Sequence, residues 1–306
     1  MQKPGYDPGL TQKFTGSVRR IINPDGTFNV RRRGTTLRDL HPYLLLINMN
    51  WLSFLLTVFA AYVVLNTIFA WGYFWLPPSE LIGAQAPDSF HRFLNDFFFS
   101  AHTLTTVGYG SIAPAGIMAN FLAAFEALIG VLGFAVATGL LFGRVSRPSA
   151  RIGFSERMLL TGYQDGTSLQ FRVVNRRANS IVELEARLLL MTVKPTDGGE
   201  LKRSYESLSL ERDRVLFLPL TWTVVHVIDN NSPLWGKTEE DLERMQTELL
   251  ILLKGHDDTF NQTVFARRSY RHNEIVWGAR FAPAFFVAED GDLVLELPKV
   301  GELAAD

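Results

Sequence analysis

Between two long apolar segments stands the run Thr105-Thr106-Val107-Gly108-Tyr109-Gly110. A dehydrated potassium ion needs a cage of oxygens in place of its water shell, and backbone carbonyls with a threonine hydroxyl supply one when they face a common axis. Gly108 and Gly110 reach left-handed conformations closed to residues with a Cβ. Alternated with Thr106, Val107 and Tyr109, they let successive carbonyls turn toward one line. On this reading Thr106, Val107, Gly108 and Tyr109 are the potassium ligands, Thr106 through both carbonyl and hydroxyl, while the side chains of Val107 and Tyr109 project outward and brace the loop. One loop is a quarter of a cage, so the ion calls for a homotetramer. A glycine-rich turn between helices would carry the same letters. The setting, membrane-length segments on both sides and a helix-patterned run just before, favours the ion site.

The elements that must position this run are legible on either side of it. No Asp, Glu, Lys or Arg falls between His41 and Glu80, and the stretch Trp51 to Leu76 exceeds the roughly 20 apolar residues that cross a hydrocarbon layer. A second span runs from Ala115 to Phe142, broken only by Glu126 and rich in small residues such as Gly130, Gly133 and Gly139, which permit close helix approach. Trp51, Trp71, Tyr73 and Trp75 match interfacial aromatic belts, and Pro77-Pro78 stops the first span. Basic residues precede the first span and follow the second, whereas the connecting region holds Arg92 as its only Arg or Lys, an asymmetry that puts both termini in the cytoplasm. The polar, proline-bearing start does not read as a cleavable signal, so the first span serves as its own insertion signal. From Asp88-Ser89-Phe90 to Thr105, residues Phe93, Leu94, Phe97, Phe98 and Leu104 recur at helical spacing. A short helix ending there aims its partly negative C-terminus at a cation in the membrane centre; an interfacial re-entrant helix without an ion role is the alternative. Glu126 is a lone intramembrane carboxylate, worth about 2.5–3.5 kcal/mol in insertion cost. It reads either as a hydrogen-bonded support behind the ion site or as an ion site itself.

Beyond Pro148 charges are interspersed through short alternating segments. Residues 169–174, 181–193, 215–228, 248–253, 274–286 and 293–297 read as strands or strand pairs of a β-sandwich, Asp290-Gly291-Asp292 as a hairpin turn, and a short helix follows Thr238, with Thr238 and Asp241 as its capping pair. About 160 residues of this kind suffice for one β domain.

At this point the chain resembles the inward-rectifier potassium channel family, most closely its prokaryotic, KirBac-type members. Leu37-Arg38-Asp39-Leu40-His41 is similar to the interfacial slide helix, and Arg144-Val145-Ser146-Arg147-Pro148 to the membrane-to-domain linker. Thr221-Trp222-Thr223-Val224-Val225-His226-Val227-Ile228-Asp229 with Ser232-Pro233-Leu234, and Ala266-Arg267-Arg268-Ser269-Tyr270 with Asn273-Glu274-Ile275-Val276-Trp277-Gly278, are similar to the family's cytoplasmic signatures. The resemblance implies a tetrameric helical pore, two transmembrane helices and a pore helix per subunit, on an all-β immunoglobulin-like cytoplasmic domain. Its divisions are a cytoplasmic segment 1–34, slide helix 35–48, transmembrane pore domain 49–147 and cytoplasmic sandwich 148–306. It implies passive conduction of potassium ions in a prokaryotic inner membrane, gated at the inner helix bundle and modulated by anionic lipid and the cytoplasmic domain. Phe142 corresponds to the bulky gate residue at the bundle crossing, with a lipid-facing aromatic as the alternative. Phe134 falls at the cavity position that controls rectification in animal members. Arg38, Arg144 and Arg147 form a basic collar suited to anionic lipid or to simple topology. Asp257-Asp258 lies near the cytoplasmic constriction or in a solvated loop. The chain departs from the pattern at His102 and Ile112, where animal members carry a glutamate and a basic partner. Support for the filter then falls to Glu126 and to His102, which reads as a hydrogen-bonding brace, a pH sensor or a packed neutral ring.

A net charge of -1 gives no electrostatic footprint for nucleic acid, and the absence of Cys removes disulfides and thiolate chemistry. No histidine spacing suits a metal, and no nucleophile-base constellation appears, so neither an enzyme nor a small-molecule substrate beyond the permeant ion is expected. A non-conducting membrane sensor with a ligand-binding β domain is the competing reading from another class; the intact run from Thr106 to Gly110 disfavours a nonselective cation channel.

Overall fold

The structure is a computed structural model that describes residues 9–10, 13–14, 20–34, 36, 41–146, 151–195 and 201–304. In chain order its strands and helices are β1 (Lys13–Phe14), α1 (Pro42–Asn48), α2 (Trp51–Phe74), β2 (Leu81–Ile82), α3 (Ser89–Leu104), β3 (Ala113–Pro114), α4 (Ile117–Val145), β4 (Ile152–Phe154), β5 (Met158–Tyr163), β6 (Gly166–Asn175), β7 (Ile181–Pro195), β8 (Leu201–Leu208), β9 (Arg214–Phe217), β10 (Thr221–Ile228), α5 (Glu239–Arg244), β11 (Glu248–Asp257), β12 (Gln262–Arg271), β13 (Ile275–Trp277), β14 (Phe285–Val287) and β15 (Leu293–Leu295). They form two compact units, Arg33–Arg147 in one and Met1–Arg32 with Pro148–Asp306 in the other.

In the first unit α2 and α4 are long and apolar enough to cross a membrane, with mean hydropathy 2.1 and 2.0. Asn50 starts α2 by accepting from the Ser53 amide at 2.7 Å, and Pro42 opens α1, where its missing N–H costs nothing. Asp88 caps α3 from the His91 amide at 2.9 Å. The loop leaving α2 folds back on the start of α4. There β2 pairs with β3, the Glu80 carbonyl accepts from Ala115 at 2.8 Å, and the Glu80 carboxylate takes the Ala119 amide at 3.0 Å, supplying an acidic cap to a helix whose own N-cap is glycine. A Cβ on Gly116 would fall 2.0 Å from that carboxylate, so a side chain here would displace the Glu80 carboxylate from its present place.

The second unit is a sandwich. One sheet runs β1-β8-β7-β11-β12 with β9 alongside β7; the other runs β10-β6-β5-β13 with β4 alongside β6. Alternate residues of both sheets close a core that includes Phe171, Leu188, Trp222, Ile251 and Tyr270. Five strands that the sequence pattern passes over, β1, β4, β5, β8 and β12, complete the sheets. Residues 215–228 divide into β9 and β10, and residues 274–286 into β13 and β14. The Thr238–Asp241 capping box and the turn between β14 and β15, with Gly291 at φ 90, form as the sequence predicts. Residues 20–22 pack on this unit: Arg20 pairs with Glu274 at 2.9 Å, and the Ile21 amide donates to the buried Glu248 carboxylate at 3.0 Å.

His226, within the Thr221–Asp229 signature, is 1% exposed. Its Nδ1 lies 2.6 Å from the Ser209 carbonyl and its Nε2 2.8 Å from the Ser232 hydroxyl, an arrangement that suits the neutral ring protonated on Nδ1. Burial holds its pKa below the ordinary histidine value, the Ser209 carbonyl and Asp229 opposing. The unfolded chain therefore binds the proton more readily than the folded one. The stability contributed by the neutral ring is whole above the unfolded value near 6.5 and is lost as pH falls through the folded value. We expect the melting transition of the cytoplasmic unit in the detergent-solubilised protein to drop by on the order of a few degrees between pH 8 and pH 5. His226→Gln should lose that dependence, and an unchanged dependence would assign it to another group.

Candidate functional site

The run of residues 105–110 hangs from the C-terminus of α3. The Thr106 amide donates to the Thr103 carbonyl at 3.0 Å, and the amides of Val107 and Gly108 share the His102 carbonyl at 2.9 and 3.2 Å. Carbonyls left free at a helix end thus seize the first residues of the loop. Beyond that point the backbone alternates in hand: Thr106 has φ 60, Gly108 φ 57 and Gly110 φ 80, while Val107 and Tyr109 are not among the positive-φ residues. The glycines were expected there; Thr106 was not. A β-branched residue in the left-handed region is strained by roughly 1–2 kcal/mol, and this strain sits at the residue that offers both a carbonyl and a hydroxyl. The Tyr109 ring meets the His102 ring edge-on, 4.8 Å between centroids, so His102 contacts the loop through both its carbonyl and its ring.

Behind α3 a polar cluster joins three helices. Glu126 of α4 accepts from the Tyr73 hydroxyl of α2 at 2.6 Å and from the Ser100 hydroxyl of α3, and Ser100 also lies 3.1 Å from Asn66 of α2. Glu126, Tyr73, Ser100 and Asn66 are all 0% exposed. The Glu126 carboxylate is thus engaged by hydroxyls of both α2 and α3. Tyr73 correspondingly leaves the aromatic belt, because its ring is buried edge-on against Phe99, 4.9 Å between centroids. Sequence reasoning missed Tyr73, Ser100 and Asn66 as partners. The signal was a lone intramembrane carboxylate, which requires donors without saying which.

Phe134 is 77% exposed on the subunit and lines a groove of about 610 Å³ between α2 and α4 whose wall also includes Thr105 and Thr106. Phe142, two turns further along α4, is 72% exposed. Arg144 is held within its own subunit. Its terminal nitrogens donate to the Leu46 carbonyl at 2.5 Å and the Met49 carbonyl at 2.6 Å, and its guanidinium lies over the rings of Trp51 and Phe54 at 4.8 and 4.6 Å. A cation closing the C-terminal carbonyls of α1 suits the helix dipole. Arg38 and Arg147 lie outside the described residues. Asp257 is 1% exposed, and its carboxylate accepts from the Asn179 side chain at 2.7 Å and from the Thr259 amide at 3.1 Å, so it organises a turn and leaves only Asp258 for solvent.

A sequence profile described as "Ion channel" matches residues 50–147, the part that contains this site, and one described as "Inward rectifier potassium channel C-terminal domain" matches residues 152–303. Inward rectifier potassium channel Kirbac3.1 of Paramagnetospirillum magnetotacticum is 38% identical over 93% of this chain and 96% of its own. This chain belongs to the inward rectifier potassium channel family. Inward rectifier potassium channel 18 of Homo sapiens is 32% identical over 64% of the chain and 47% of its own length. The protein is thus an integral membrane potassium channel of prokaryotic type and not an enzyme: a helical pore unit with a β cytoplasmic domain, whose permeant ion is potassium.

Proposed function

We propose that four copies of this chain surround one axis and pass potassium down its gradient through the carbonyls of Thr106, Val107, Gly108 and Tyr109, with Gly110 closing the outer end. The observation that carries this reading is the alternation of hand at residues 106, 108 and 110 on a loop suspended from the C-terminus of α3. Glu126 and His102 hold the loop from behind. Phe134 faces the cavity, where an aromatic offers no charge to a polyamine. The bias of basic residues supports cytoplasmic termini in a prokaryotic inner membrane, with slide helix, pore and cytoplasmic domain divided at about residues 35, 49 and 148. Potassium-dependent uptake of rubidium-86 into liposomes containing only this protein tests the reading. Uptake blocked by millimolar barium, close to potassium in size but doubly charged, is expected; barium-insensitive uptake would move the site away from Thr106.

The gate in this proposal is Phe142, where four rings converging at the inner bundle exclude water. Phe142→Ala is expected to raise rubidium uptake several-fold in channels that are otherwise closed, and a mutant as closed as the parent would place the gate elsewhere. Anionic lipid acts through Arg38 and Arg147. Arg144 instead ties the end of α1 to the gate-bearing helix, supported by its two carbonyl bonds.

A further inference from the structure

Asp96 stands one helical turn before Ser100 on the buried face of α3, is 0% exposed, and neither carboxylate oxygen meets a donor within hydrogen-bonding distance. It lies in the lining of a cavity of about 380 Å³ together with Pro77, Pro78, Asp88, Ser89 and Arg92, between the end of α2 and the start of α3. Its nearest charge is Arg92 on the same helix, Nε to Oδ2 4.0 Å, and Arg92 already gives a terminal nitrogen to the Leu76 carbonyl at 2.6 Å. From α2, Tyr73 faces Asp96 within electrostatic reach, and through Tyr73 the Glu126 carboxylate of α4; Asp88 stands at the cavity and is occupied by the His91 amide and ring. A carboxylate buried without protein donors is costly as an anion, so something in this cavity must satisfy it.

The surroundings narrow the choice. Among the described residues no group of three or more His, Cys, Asp or Glu could hold a metal ion, and the Arg92 guanidinium in the same cavity repels an organic cation. A proton needs only one acceptor. We propose that Asp96 is a proton-binding site, and that it ties conduction to the acidity of the solution bathing the α2–α3 connection. Charged, Asp96 draws water between α3 and α2. Neutral, it lets the two helices pack dry, and the tightening passes along α3 to Ser100, which holds Glu126, and to the His102 carbonyl, which holds Val107 and Gly108. Asp96 is therefore a positioning residue for the filter, acting through the pore helix.

Currents from purified channel in planar bilayers, with pH varied from 8 to 5, provide the test. The parent is expected to gain several-fold in current on acidification, whereas Asp96→Asn should hold the acid level throughout. Arg92→Gln removes the cation that favours the anion and should move the midpoint to higher pH. His91→Gln should keep the parent's profile. A parent with no pH response, an Asp96→Asn channel that titrates like the parent, or an Arg92→Gln midpoint that stays or falls would each overturn the proposal. Only the side of action rests on the proposed orientation. Titrating both faces together tests Asp96 alone, and titrating them in turn then tests orientation.

Discussion

Gly108→Ala is expected to abolish potassium-selective flux while leaving the tetramer assembled. Gly108 has φ 57, and a Cβ placed on it meets no atom of its own subunit within 4 Å. The penalty is therefore conformational. An L-residue in the left-handed region loses roughly 1–2 kcal/mol, and the cost recurs in every subunit around the axis. The loop regains that energy by turning the peptide, which removes a carbonyl from the cage while leaving α2, α3 and α4 untouched. Rubidium uptake should fall at least tenfold, a factor that one subunit's cost of about 1.4 kcal/mol would already supply, with tetramer elution unchanged on size exclusion. Retained flux with the parent's preference for potassium over sodium would show that the filter is not built on Gly108.

Gly130→Ala should be as damaging for a different reason. A Cβ at this position of α4 would lie 1.9 Å from the Leu104 carbonyl oxygen and 2.8 Å from its carbon, whereas ordinary contact begins at 3.4 Å. The obstructing atoms are backbone at the last residue of α3, so no rotamer relieves the clash and a helix must move by an ångström or more. Thr105 and Thr106 follow directly, and the loop bonds to carbonyls of this same turn. The expected result is near-complete loss of rubidium uptake together with weakened assembly, read as monomer on size exclusion. The same substitution at Gly133, where a Cβ meets nothing within 4 Å of its own subunit, should leave assembly intact. Equal behaviour of the two variants would mean that the clash is absorbed without cost to the filter.

Much of the chain was legible beforehand because its signals are local. The order Thr-Val-Gly-Tyr-Gly, two uninterrupted apolar spans, the asymmetry of basic residues and the Thr238–Asp241 box each concern neighbours in sequence, and the spans emerge as α2 and α4 within a few residues of the expected ends. Strands β1, β4, β5, β8 and β12 escaped. The pattern of β5 is a continuous buried run, and those of β8 and β12 mix charges with apolar residues irregularly, so neither shows clean period-two alternation.

The sequence by itself carried the proposal of the ion site and determined the division into membrane and β halves, because carbonyl cages, spans and alternation depend on residue types at short spacing. Only the tertiary structure decided which helix faces meet. α2 is apolar on nearly every side, with 17% of its most apolar window buried in the subunit, so hydropathy carries no information about its rotation. That rotation brings Tyr73 and Asn66 to Glu126 and Ser100, and the approach of α1 to α4 turns Arg144 toward the carbonyls of Leu46 and Met49. Thr106 likewise takes φ 60 because the free carbonyls at the end of α3 capture the amides on either side of the turn. That demand comes from the folded helix end, and it overrides the conformational preference of the residue itself.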